Sequence, residues 1–153
     1  MKLPVEKPYK ITSPFAMREN PFQRGKTENH QAIDFISTND AGQPLAEAPV
    51  LAMAGGKIIL DFDNYDHKGR WTDGRMSVGN YVIIQHNIGG KIYFSRYCHL
   101  KENFVSHGET VEQGQVIGIY ADVGRSCGGH VHVDVFDYPA WKPVNYTNWL
   151  EDL

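Results

Sequence analysis

A chain of 153 residues is long enough for one domain with a sizeable core. With 41% hydrophobic and 12% aromatic residues it is expected to fold, which excludes a disordered chain. A net charge of -3 without a basic block argues against a nucleic-acid partner, and no apolar run is long enough for membrane insertion.

Residues 1–10 read as an extended lead-in, followed by one domain over 11–153. Met1 to Pro8 has no apolar core of the kind a secretory leader needs, so phage-type release or a trimmed piece of an exported protein is expected. Ile11 to Phe15 reads as a short strand and turn. Arg18 to Asn29 is polar and reads as a loop. His30 to Phe35 follows and runs into a turn at Asn39 to Gly42. Two apolar runs broken at Gly55-Gly56 predict strand, bend, strand over Pro49 to Asp61. A polar loop over 62–79 comes next. Tyr81–His86 and Lys91–Leu100, joined by Asn87 to Gly90, predict a hairpin. Gly114 to Tyr120 holds another strand, and Pro143 to Leu153 a short helix. Short strands with glycine turns indicate an all-β, mostly antiparallel, single-domain sandwich or barrel-like core. Cys98 and Cys127 are too few for a disulfide framework and read as free thiols.

The chemistry concentrates in Gly128-Gly129-His130-Val131-His132-Val133-Asp134-Val135-Phe136. Strict alternation predicts a strand with Val131, Val133 and Val135 on one face and His130, His132, Asp134 and Phe136 on the other. Two imidazoles on one strand face are a usual beginning for a zinc site. His30 and Asp34, four apart, fall on the same side of either a helix or a strand. A catalytic zinc takes three protein ligands and keeps one position open, which two histidines and a carboxylate suit. His99, in Arg96-Tyr97-Cys98-His99-Leu100, completes the set. Two histidines then stay off the metal, enough for a general base and an electrostatic stabiliser. Singly, each residue has an ordinary reading: a solvated histidine, a turn aspartate, a strand-end histidine. Their joint occurrence tips the balance. His67, His86 and His107 fall in turn or loop contexts and are assigned no role.

The order of these motifs resembles that of the lysostaphin-type, LytM-like zinc endopeptidases of peptidoglycan. The matching stretches are Ile11-Thr12-Ser13-Pro14-Phe15-Ala16-Met17-Arg18, His30-x-x-x-Asp34-Phe35, Arg96 to Leu100, Gly108-x-x-Val111-x-x-Gly114-Gln115-x-Ile117-Gly118, and Gly124-Arg125-Ser126-x-Gly128-x-His130-x-His132. They cover nearly the whole chain from about residue 11 to about residue 146. The resemblance implies that His30, Asp34 and His132 bind one Zn2+ per chain and that His99 and His130 are catalytic. It also implies a duplicated-hybrid-motif type of β fold with a groove over one sheet. The implied activity is zinc-dependent hydrolysis of peptide bonds in peptidoglycan stem peptides or cross-bridges, at the cell wall, by a monomer. The alternative is a non-catalytic module of the same fold that binds peptidoglycan or regulates an amidase. The family usually has glycine where Ala16 and Ala32 stand, which matters if position 32 needs a positive φ. The loops at 18–29 and 62–79, with Phe22, Tyr65 and Trp71, are expected to wall the groove.

Overall fold

The computed structural model describes residues 1–63, 78–124, 126 and 128–151. Eleven strands occur among the described residues: β1 (Tyr9–Ser13), β2 (Ala16–Glu19), β3 (Thr27–His30), β4 (Ile33–Ser37), β5 (Ala48–Leu51), β6 (Gly56–Phe62), β7 (Asn80–Ile88), β8 (Lys91–Asn103), β9 (Thr110–Val111), β10 (Val116–Tyr120) and β11 (Val131–Asp137). A single 3-10 turn, Thr147–Trp149, is the helical element among the described residues, and it stands in the expected tail. Every strand pair is antiparallel. The main sheet runs β1-β4-β11-β8-β7-β6-β9, with β10 pairing both β5 and β8, and β2-β3 form a separate hairpin. No helix of the described residues is long and apolar enough to cross a membrane.

The valine row of β11 is the floor of the core, as alternation predicts: Val131, Val133 and Val135 are fully buried. Phe35, Tyr97, Leu100, Ile117, Tyr120 and Tyr146 pack in the same cluster. Burying side chains of this size contributes about 1.5–3 kcal/mol each, so this cluster dominates the stability of a small β domain. The lead-in belongs to it. Leu3 and Val5 are buried there, the Lys2 amide donates to the Met53 carbonyl, and Val5 bridges Val50. The β7–β8 hairpin turns on Gly89 and Gly90, with φ of 61° and 82°. Two successive residues at positive φ are what a tight, correctly twisted two-residue hairpin turn demands.

Three expectations need correction. Arg18 to Asn29 is not simply a loop: it is the β2–β3 hairpin, with Arg18 facing Glu28 across the pair. The strands carry no apolar alternation. An Arg18 Nε–Glu28 Oε1 ion pair of 2.7 Å joins them instead. His30 to Phe35 is not one element, because Gln31 and Ala32 bend the chain from β3 into β4. His86 is not in a turn. It continues the inward row of Val82 and Ile84 on β7 and is 1% exposed. His107 is exposed in a turn, as expected. His67, Tyr65, Trp71 and Cys127 lie outside the described residues. Cys98 is a buried free thiol, and burial pushes its pKa up.

Candidate metal centre and active site

The bend at Gln31–Ala32 carries the chain from the small hairpin to the main sheet, so His30 ends one and Asp34 stands on the other. Asp34 on β4 is directly opposite His132 on β11. Three atoms converge: His132 Nδ1 is 2.9 Å from Asp34 Oδ1, His30 Nε2 is 3.3 Å from the same oxygen, and the two ring nitrogens are 3.3 Å apart. Zinc with bonds of about 2.0–2.1 Å in a tetrahedron separates its ligand atoms by about 3.3–3.4 Å. The triangle therefore fits zinc with little movement. Among the described residues it is also the cluster of histidine and carboxylate groups with metal-site spacing.

Each group is braced from behind, as metal ligands usually are. His30 Nδ1–H donates to the Pro14 carbonyl at 3.0 Å, which leaves Nε2 as the nitrogen that could hold a metal. His132 Nε2 lies 3.7 Å from Asp134 Oδ2, and Asp134 is itself held by a two-pronged pair with Arg96. Arg18 Nη1 donates to Asp34 Oδ2 at 3.2 Å and to Ser13 Oγ at 2.8 Å, while its Nε holds Glu28. Burial alone would raise the Asp34 carboxyl. Hydrogen bonds from His132 and His30 outweigh it and hold the group far below the ordinary carboxylate value. Burial would likewise lower His132, yet its bonds to Asp134 and Asp34 push it up to about 9. The cluster thus favours an added positive charge, which is what a divalent cation supplies.

Two more imidazoles border the triangle. The His99 and His130 rings are 4.6 Å apart, and His130 Nε2 is 3.8 Å from Asp34 Oδ1. Both are anchored the same way. His99 Nδ1–H donates to the Val123 carbonyl at 2.7 Å, and His130 Nδ1–H donates to the Gly128 carbonyl at 2.9 Å. In a neutral imidazole this leaves Nε2 as an unprotonated acceptor. Burial, then the neighbouring His130 and His132, lower the His99 pKa to about 3, so its neutral form is fixed. His99 has φ 62°, in the left-handed region. The strain sits where β8 changes partner: Cys98 pairs with β11, Leu100 with β10. Non-glycine residues at positive φ, among those described, are His99 and Trp141, so Ala32 needs no glycine conformation. His130 is placed by a different device. A Cβ on Gly129 would stand 1.9 Å from the Ala46 carbonyl oxygen, so the loop lies on that carbonyl with no room for a side chain.

Of the five residues singled out by sequence, Asp34, His99, His130 and His132 line one groove of about 820 Å³, large enough for several residues of a peptide, and His30 lies buried behind it against Asp34 and His132. Phe22 and Pro21 from the β2–β3 turn line it, as do Val78, Leu45 and Ser126. Residues 64–77 of the second expected wall lie outside the described ones. Sequence reasoning missed Arg18 and Ser13 as supports of the ligands. Their signal was weak: an arginine and a glutamate ten apart flanking a Pro/Gly stretch, in a segment with no apolar period.

The comparisons agree with this geometry. The sequence pattern of peptidase family M23 matches residues 28–146, a span that contains all five. An uncharacterized metalloprotease of Buchnera aphidicola subsp. Baizongia pistaciae is 32% identical over 137 residues, covering 89% of this chain and 31% of that protein. The peptidoglycan DD-endopeptidase ShyA of Vibrio cholerae is 29% identical over 144 residues, 94% of this chain and 28% of that one. This chain thus spans about a third of the length of these relatives. A zinc-containing peptidase from Vibrio cholerae superposes with a TM-score of 0.67 at 31% identity, over 94% of this chain and 37% of that chain. The catalytic domain of lysostaphin from Staphylococcus simulans, at 22% identity, shares the fold with a TM-score of 0.67 over 92% and 91% of the two chains. A pattern that matches most of the chain and a triangle of zinc dimensions lead to one assignment: the chain belongs to peptidase family M23.

Proposed function

We propose that the chain is a zinc-dependent endopeptidase that hydrolyses peptide bonds in peptidoglycan stem peptides or cross-bridges. It works as a monomer with one zinc, on the periplasmic or extracellular side where that substrate lies. The observation that carries the reading is the joint geometry: a His30–Asp34–His132 triangle of tetrahedral dimensions, flanked by two imidazoles anchored through Nδ1. A bound zinc supplies Lewis-acid polarisation of the scissile carbonyl and acidifies a water toward a pKa of about 7. His30, Asp34 and His132 hold it, and Arg18 and Asp134 keep two of those side chains aimed. His99 and His130 each present an unprotonated Nε2 to the groove. One of them takes a proton from the attacking water. Once protonated it becomes an Nε2–H donor, able to pass that proton to the departing amine. The other steadies the oxygen on which negative charge grows.

The test is mass spectrometry of fragments released from purified Gram-negative and Gram-positive walls, with His30→Ala as the control. Peptides cut at one defined bond, absent with the variant, are expected and would name the bond. A zinc-loaded protein that releases nothing from either wall would sink the reading in favour of a binding or regulatory module.

A further inference from the structure

The face of the main sheet that carries His132 continues past the metal centre. On β11 the same row holds Asp134 and then Phe136, and on β8 their partners are Arg96 and Phe94. The row ends in a shallow cleft of about 220 Å³ lined by Ile83, Phe94, Arg96, Phe136 and Trp141. The Trp141 indole stacks on Phe94 with centroids 4.5 Å apart and planes 19° apart. Tyr138 stands perpendicular to it, centroids 5.8 Å apart. Phe94 is 6% exposed, whereas Trp141 is 54% and Tyr138 48% exposed. A ring that merely capped the sheet would be covered itself. Here one face of the indole covers Phe94 and more than half of the residue meets solvent. The display is fixed by backbone: Trp141 has φ 55°, an unfavourable region for a bulky residue, and its amide donates to the Asp137 carbonyl at 3.0 Å.

We propose that this platform is a second binding subsite, for a pyranose ring of the glycan strand to which the scissile peptide is attached. The inference rests on the endopeptidase reading for its substrate but not for its chemistry. A pyranose is an amphipathic disc with a C–H face and a hydroxyl rim. An exposed, rigid aromatic plane suits the face. The bonds to Asp134 use Arg96 Nε and Nη2, which leaves the Nη1 donors for the rim. Distance agrees as well. Phe136 lies four residues beyond His132, about 13 Å along a strand, and an extended peptide of about four residues spans that distance. If the bond cut at the metal centre stands about four residues from the sugar, the sugar falls at Trp141.

The experiment has two arms. In the first, the whole chain, labelled with 15N, is titrated with a β-1,4-linked N-acetylglucosamine tetramer. A saturable shift of the Trp141 indole N–H, without one at Trp149, is expected. In the second, wild type and Trp141→Ala cleave intact wall and a glycan-free cross-linked peptide, with melting and zinc content checked. The variant should lose about tenfold more kcat/KM on the wall than on the free peptide, corresponding to about 1.4 kcal/mol. No saturable shift, or equal losses on both substrates, would overturn the subsite; equal losses would mark the platform as peptide-binding or structural. Wild-type cleavage of neither substrate, with the Trp141 shift present, would instead remove the endopeptidase reading and leave the sugar site standing.

Discussion

His86 and His99 lie on neighbouring strands, both nearly buried, both with pKa values lowered first of all by burial. They differ in what their second nitrogen meets. His86 Nδ1–H donates to the Gly55 carbonyl at 2.8 Å, and its Nε2 accepts from Ser95 Oγ at 2.7 Å. The chain goes on through the Tyr97 hydroxyl to the Met53 amide, so every polar atom of the ring is used inside the protein. His99 spends Nδ1–H on Val123 and turns the rest of the ring toward the metal centre, from a backbone held in the left-handed region. Burial and a shifted pKa therefore do not separate the histidine we propose as catalytic from the structural one. A spare nitrogen at a groove does, together with local strain that packing alone would not require.

Several substitutions can break or sharpen this contrast. The largest effect is expected from His30→Ala or Asp34→Ala, which should abolish zinc binding and peptidoglycan cleavage together, as metal analysis and fragment release would show. Next is His99→Ala. Loss of a general base or stabiliser should lower turnover by about 10²–10⁴-fold while zinc stays bound. A fully active His99→Ala protein would break the contrast outright. Arg18→Ala removes the brace on Asp34 and should weaken zinc by about 10–100-fold, measurable by competition with a chelator.

The smallest effect on chemistry is expected from His86→Leu. It leaves the Gly55 carbonyl without its donor and Ser95 with the Tyr97 hydroxyl alone, and should cost about 1–3 kcal/mol of stability in denaturant melts, with activity per folded molecule retained. The same residue should leave a mark on acid stability. Its folded pKa lies below 6.5, so in acid the unfolded chain binds a proton that the folded one refuses. Wild-type stability should thus hold above pH 6.5 and decline as pH falls below it. In the metal-free protein the decline should be shallower for His86→Leu, and a parallel decline would show that His86 carries no such linkage.

The fold class was legible in the sequence, and so were the five residues that the fold brings near one another, because their signals are local. The valine alternation of β11 and the glycine turns are written in neighbouring residues. What was illegible is long-range. His30 meets His132 across 102 positions, and nothing near either one specifies the 3.3 Å approach. The β2–β3 hairpin escaped because its strands are tied by the Arg18–Glu28 pair rather than by an apolar period. His86 was a different miss. Val82, Ile84 and His86 share one parity, so alternation pointed inward and only the polarity of imidazole argued otherwise. Arg18 has no local mark at all, since its function as a brace exists only once Asp34 has arrived from the adjoining sheet.

The contact between Gly129 and Ala46 has a historical meaning as well as a mechanical one. A carbonyl 1.9 Å from where a side chain would begin closes almost every single-step mutational route at position 129. The loop that carries His130 and the segment around residue 46 that forms its seat are therefore bound to drift as a pair. In any lineage where a residue with a side chain replaces Gly129, the backbone near Ala46 must have shifted to make room for it. The two segments, 83 positions apart, should leave a shared record of change in related sequences.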